Sequence, residues 1–295
     1  MRKFSTFSIL VLCASVFLIA CNKADDFSTQ QARILVANAT LTAPLVPSAA
    51  NPTPSPLPTA GPAFDVRWDG QFIIPNIIYG AASITTGSSL TSVSSAQFVT
   101  ANYAQVKNGT FGLNFSAAGQ GGGGGVTIYD RPVTLAPARS YTAVAFDFSL
   151  LFRTLLMEDD LSAPAAGKVK VRFIHAIPQT ILNSVPRKDT IDITATGGTT
   201  AAPLNNVAVF PLRNFADAAT NTRFHQFAVL DSGRYNIGVR VAGTPGTAPA
   251  TGLLGLFPNL RLVEGKIYTI IARVNVPGLA TNPPSPAAIT IVTHN

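Results

Sequence analysis

The chain repeats one string of strand-like segments in the same order, and a repeat of this kind restricts it to two copies of one folded unit. Ala32–Ala39 (ARILVANA) matches Val169–Ala176 (VKVRFIHA), and Phe64–Val66 matches Ile191–Ile193. Asn76–Tyr79 resembles Asn206–Val209, Tyr103–Leu113 matches Phe227–Ile237, and Leu135–Tyr141 matches Leu262–Tyr268. Leu155–Met157 and Ile291–Thr293 are expected to close the two copies with equivalent last strands. No long stretch has the 3.6-residue period of an amphipathic helix, so the unit is all-β.

The segments alternate apolar and polar residues, as in Tyr235–Val241 (YNIGVRV), which buries one face of each strand and wets the other. A polar-Gly turn divides the runs at Gly109 and Gly233, and positive φ at those glycines suits hairpins there. Tyr141 and Tyr268 precede the strongest apolar runs, so each ring packs inward with its hydroxyl at the rim. Short strands closed by turn chemistry predict two tandem immunoglobulin-like β-sandwich domains of about seven strands each. The boundaries expected are 32–157 for the first domain, 158–167 for a linker and 168–295 for the second. The second domain should then fold by itself around its own core. Thr42–Pro62, Ala117–Gly125 and Ala242–Gly252 read as loops, and Phe210–Arg223 as an insert with room for one helical turn.

The first residues look like an export signal. Met1-Arg2-Lys3 is cationic, Phe4–Ala20 is apolar, and Leu18-Ile19-Ala20-Cys21 resembles a bacterial lipobox. On this reading residues 1–20 are removed, Cys21 is acylated and 21–31 is a tether. The only other cysteine, Cys13, lies in the signal, leaving no disulfide in the mature body. The partner so implied is the membrane, through the N-terminal lipid. Asn22-Lys23-Ala24-Asp25-Asp26 looks like a charged export tag, which predicts an outer-membrane anchor with the body exposed outside the cell. The alternative is the periplasmic face.

Formal net charge is +7, and loss of Arg2 and Lys3 leaves 19 basic against 14 acidic residues, or +5. Only 12% of residues are charged, and the basic ones are spread thinly, which argues against a nucleic-acid partner. The densest group, Lys168, Lys170 and Arg172, alternates along one strand and reads as a solvated face. Glu158-Asp159-Asp160 likewise reads as a solvated linker, with a Ca²⁺ site as the other reading.

At its repeated residues the chain resembles the bacterial domain-of-unknown-function 4397 family. The resemblance is carried by Val171–Pro178 (VRFIHAIP), Thr190–Ile193, Asp231–Ile237 (DSGRYNI) and Leu262–Thr269 (LVEGKIYT). It implies exported β-sandwich domains, often in tandem, and no activity. The family's His-Ala-Ser-Pro-Asp string stands here as His175-Ala-Ile-Pro-Gln179, and the first copy has Asn38 in the histidine's place.

Catalytic patterns are sparse. The three histidines, His175, His225 and His294, make no close metal-binding pair, and His175 reads as a hydrogen-bonded residue at a strand rim. No Gly-x-Ser-x-Gly elbow occurs. Gly119–Gly124 satisfies GxGxxG only because it is a glycine run, and a strand rather than a helix follows. Asp65 and Asp192 recur at equivalent places but in different sandwiches. The expectation is therefore no enzyme, no catalytic residue, no metal and no cofactor. The function expected is that of a membrane-anchored envelope lipoprotein with a binding or scaffolding role, whose partner is an envelope protein or a glycan. The alternative is a glycan-binding accessory module of a nutrient-uptake system, with Trp68, Phe72 and Tyr79 as its aromatic platform.

Overall fold

The computed structural model describes residues 31–40, 63–77, 96–117, 127–148, 151–177, 190–198, 204–214, 226–241, 253–274 and 287–295. In the first half the strands are β1 (Gln31–Ala39), β2 (Phe64–Trp68), β3 (Gln71–Ile77), β4 (Ala96–Thr100), β5 (Ala104–Lys107), β6 (Gly109–Ala117), β7 (Thr127–Leu135), β8 (Ser140–Phe148) and β9 (Leu151–Glu158). In the second they are β10 (Lys168–His175), β11 (Thr190–Gly198), β12 (Leu204–Asn214), β13 (Ala228–Asp231), β14 (Gly233–Val241), β15 (Leu253–Leu262), β16 (Ile267–Val274) and β17 (Ala287–Thr293). No helix occurs among the described residues. Of the expected loops, Thr42–Pro62 and Ala242–Gly252 lie outside the described residues, as does Gly-rich 118–125. The insert at Phe210–Arg223 continues β12 as far as Asn214.

The fold is an all-β sandwich architecture, built twice. In the first sandwich a sheet ordered β5-β1-β8-β9 faces a sheet ordered β3-β2-β6-β7. In the second, β13-β10-β16-β17-β4 faces β12-β11-β14-β15. Corresponding strands keep the same register. β1 runs parallel to β8 with Ile34 beside Tyr141, and β10 runs parallel to β16 with Val171 beside Tyr268. The two tyrosines behave as expected. Each ring is buried, and each hydroxyl accepts from a backbone N–H five residues upstream, Ala136 to Tyr141 and Val263 to Tyr268, both at 2.9 Å.

The turns at Gly109 and Gly233 are not hairpins. β5 pairs with β1 whereas β6 pairs with β2 and β7, so the chain changes sheet at Gly109, and it does the same at Gly233. The positive φ is real, +121° and +156°, but it serves a corner. A Cβ on Gly109 would also stand 3.0 Å from the Phe111 ring.

Two of the expected matches between copies shift. Leu155–Met157 does not align with Ile291–Thr293, because Tyr141 pairs with Glu158 and Tyr268 with Thr293, making Leu156 the equivalent of Ile291. A one-residue slip exchanges the two faces of a strand. Asn76–Tyr79 does not align with Asn206–Val209 either. Phe72 lies opposite Arg67, and Ala208 lies opposite Thr194, which corresponds to Arg67. That slip is six residues, an even number that leaves apolar alternation unchanged and so escapes a sequence comparison.

A third core joins the halves. On β1, Ile34 and Val36 point into the first sandwich, whereas Leu35 and Ala37 point out of it. Those outward residues pack with Val144, Phe146, Leu155 and Met157 against Ile174, Ala176, Ile271 and Val292 of the second copy. The central strands of the two facing sheets, β1 and β8 in one and β10, β16 and β17 in the other, are thus buried on both faces, and the molecule is four sheets deep. The chain also crosses over between copies. β4 belongs to the first half by sequence, yet it adds in parallel to β17, with Ala96 beside Ile289 and Thr100 beside Thr293. Ala96 packs on the second core, and Val99, Ala101 and Tyr103 pack on the seam.

Candidate functional site

At one end of the seam, charged and polar side chains gather where an apolar core would be expected. Arg172 on β10 and Asp159 just past β9 are both fully buried and form an ion pair through Nη2 and Oδ1. Two charges taken out of water survive only if hydrogen bonds satisfy what remains of each. Here they do. Thr142 donates to both oxygens of Asp159, at 2.8 and 3.0 Å, and Tyr103 donates to Oδ2 at 2.7 Å. Arg172 Nε donates to Thr269 Oγ1 at 2.8 Å, and its Nη1 reaches the Glu158 carbonyl at 3.4 Å. The guanidinium lies over the Phe227 ring, 4.7 Å from its centre.

His294 closes the circuit. Its Nδ1 lies 2.7 Å from Tyr103 Oη and its Nε2 2.6 Å from Thr269 Oγ1. Tyr103 has one proton, and that proton goes to Asp159, so Nδ1–H must donate to Oη. Nε2 is then bare and accepts from the Thr269 hydroxyl. This assignment gives the hydrogens of His294 Nδ1, Tyr103 Oη and Thr269 Oγ1 one acceptor each and requires a neutral imidazole. Burial pushes the His294 pKa down to about 4, an effect that Asp159 opposes and Arg172 adds to. Burial, and after it Asp159, pushes the Tyr103 hydroxyl well above its ordinary value.

The ring of partners stands on equivalent positions of the two copies. Thr142 corresponds to Thr269 and Tyr103 to Phe227, and Arg172 takes the place that Leu35 holds in the first copy. The linker acids and the basic strand, read from sequence as two solvated surfaces, meet instead through two pairs, Asp159 with Arg172 and Asp160 with Lys170. Asp160 accepts from Lys170 at 2.7 Å, while Lys168 pairs with Asp231 at 2.5 Å. The hydrogen bond from Lys170, helped by Ser162, holds Asp160 at about 2. Glu158 pairs with Arg139 at the surface, where an ion pair is worth little. The signal that was available was the order of charges: three acids, a Pro-Gly turn, then three bases at alternate positions. The linker acids thus pair with the chain's own cations, and no cluster of three or more metal-ligating residues occurs among the described residues.

His175 is not at a rim. It is buried to 2% exposure, and burial lowers its pKa to about 3. Its Nδ1 accepts from Ile177 N–H at 3.3 Å, just as Asn38 Oδ1 accepts from Thr40 N–H at 3.0 Å. Both residues stand at the end of a strand or one residue before it and offer an acceptor to the backbone two residues on, which explains how asparagine stands in for histidine. His225 and Cys21 lie outside the described residues.

The expected aromatic platform divides. Trp68 is buried in the first core, edge-on to Phe111 at 5.7 Å, and its Nε1 donates to the Lys107 carbonyl at 3.0 Å. Phe72 faces outward, 42% exposed, with the Arg67 guanidinium 4.1 Å from the ring centre. Tyr79 lies outside the described residues. Asp65 is buried on β2 opposite Ser116, and Asp192 sits opposite Arg240 on β11 of the other sandwich.

Residues 57–181 match the family described as Domain of unknown function (DUF4397). The matched stretch omits β1 and takes in β10, its equivalent in the second copy, so it contains one full set of strand types. No curated protein matches the sequence. Among solved structures, a Bacteroides fragilis protein named a "putative cell adhesion protein" aligns at 12% identity over 90% of this chain and 98% of its own, with a TM-score of 0.20. A Parabacteroides distasonis protein of the same name aligns at 6% identity over 90% of this chain and 99% of its own, with a TM-score of 0.18. Overlaps with TM-scores this low carry no weight for fold or function.

Proposed function

We propose that the chain is a non-catalytic lipoprotein of the bacterial cell envelope, held at the outer membrane through lipid on Cys21, in which tandem sandwiches over 32–157 and 168–295 act as one rigid binding or scaffolding body. The observation that carries this reading is the seam. Asp159 and His294 are both buried and both hydrogen-bonded to Tyr103, and every donor and acceptor of theirs in the ring has a partner within the chain. Groups held this way stiffen a body and leave no proton free for a substrate. The match to a family without an assigned activity is compatible with such a role. The anchor rests on the cationic start, the apolar run and the Leu18–Cys21 string.

Acylation with two or more chains holds a protein at a bilayer for long times, at about 0.8 kcal/mol per buried CH₂. Cys21→Ser should release the body from the membrane fraction or block its processing. A variant that is processed normally and still sediments with membranes would refute the anchor. Proteinase added to intact cells should digest a body exposed outside, whereas digestion only after lysis places it on the periplasmic side.

A further inference from the structure

One row of side chains crosses the outer sheet of the first sandwich and has no counterpart in the second. Phe72 on β3, Arg67 on β2, Asn114 on β6 and Asp130 on β7 are neighbours in register, all on the face away from the core. The equivalent row of the second sandwich carries Ala208, Thr194, Gly238 and Leu256. The same strands pair in the same order there, without an aromatic residue, a cation, an amide or a carboxylate. The core positions recur in both copies, and this row does not.

Its polar groups are also unfinished. Arg67 Nε and Nη2 and Asn114 Oδ1 are buried and have no hydrogen-bond partner, and neither has Ser116 Oγ, one step along β6 on the same face. Buried donors and acceptors left open in this way call for a partner from outside the chain. Gly112 lets two of them come together. A Cβ there would stand 3.0 Å from both Asn114 Oδ1 and Asp130 Oδ1, tighter than side chains pack, so the glycine is what allows both oxygens to lean over the same point of β6.

We infer that this row is a binding site for a neutral oligosaccharide, an inference that rests on the binding role proposed above and gives it a ligand class. A hydroxyl group both donates and accepts, so one hydroxyl can accept from Arg67 while donating to Asn114 Oδ1. A neighbouring hydroxyl on the same sugar ring can donate to Asp130. The exposed part of the Phe72 ring offers an apolar surface to the C–H face of a sugar. Arg67 and Asp130 carry opposite charges on one row, so an anionic ligand meets the carboxylate and a cationic one meets the guanidinium. A neutral polyol meets neither penalty. The row spans three strand spacings, about 14 Å, which suits an oligosaccharide better than a single sugar.

The full chain, purified in detergent, is tested by saturation-transfer NMR and calorimetry with neutral trisaccharides of glucose, mannose, galactose and N-acetylglucosamine, and with trigalacturonate as the acidic comparison. At least one neutral trisaccharide should bind, and Phe72→Ala and Asn114→Ala should each weaken it by about tenfold or more. Arg67→Lys, which keeps the charge and removes the planar fork, should do the same with an unchanged melting temperature. Leu256→Ala, on the equivalent row of the second sandwich, should change nothing. Binding of none of the neutral sugars, or of trigalacturonate alone, would overturn the ligand class. Neutral binding indifferent to Phe72→Ala and Asn114→Ala would overturn the site. In each case membrane release by Cys21→Ser reports separately on the anchored body.

Discussion

Asp159 and His294 hold the same place in the two sandwiches. Each is the first residue past a last strand, and each backbone N–H donates to the start of the preceding strand, Asp159 to the Ser140 carbonyl at 2.8 Å and His294 to the Ile267 carbonyl at 2.9 Å. One copy thus supplies an acid and the other a base at a single structural position, and the seam brings both onto Tyr103. An apolar pair would have filled the same space. The polar pair ties the register of one sandwich to that of the other.

Acid should loosen this structure through its histidines. Burial lowers His294 to about 4 and His175 to about 3, against an ordinary imidazole value of about 6.5. Between those limits the unfolded chain takes up protons that the folded chain refuses. Stability from both groups is therefore complete above about pH 6.5 and is lost as pH falls toward the folded values, by about 1.4 kcal/mol per pH unit for each histidine. Urea midpoints measured from neutral pH downward should fall accordingly. His175→Asn, which copies Asn38 of the first sandwich, should flatten the decline. A stability profile level across this range would contradict the assignment of both rings as neutral.

Asp159→Asn keeps the shape of the seam but leaves the Arg172 charge buried without its counter-ion. The expected loss is about 3–5 kcal/mol in denaturant unfolding. Arg172→Leu copies Leu35, the residue at the equivalent place, so adding it to Asp159→Asn should recover part of that loss. A double-mutant cycle should give a coupling of about 1–3 kcal/mol. Additive effects would mean that the pair contributes through packing alone.

The fragment Lys168–Asn295 should not behave as an independent domain, contrary to the expectation from sequence. It contains its own core but lacks β4, which leaves the β17 edge open, and it exposes Ile174, Ile271 and Val292 on the seam face. Arg172 would also lose Asp159. Such a fragment should self-associate in size-exclusion chromatography and bind a hydrophobic dye. A monomeric fragment with a single sharp thermal transition would show that the seam is dispensable.

Much of the architecture was legible in the residues. The doubled order of segments, the all-β class and the twin roles of Tyr141 and Tyr268 follow from local pattern, because alternation and turn chemistry act between near neighbours in sequence. Gly109 and Gly233 were recognisable as positions of positive φ, but a hairpin and a corner between sheets place the same demand on one residue. The face of Lys168, Lys170 and Arg172 was legible as a face. Whether water or a second sandwich lay against it depended on how two sheets met far apart along the chain. The same holds for Leu35 and Ala37, whose apolar character marks burial without naming what buries them, and for β4, whose few residues carry no sign that they belong to the other copy. Periodicity sorts side chains into two sides of a strand. Only the packed tertiary structure decides what stands on each side, because the energy that selects it comes from contacts between residues more than a hundred positions apart, such as Tyr103 and His294.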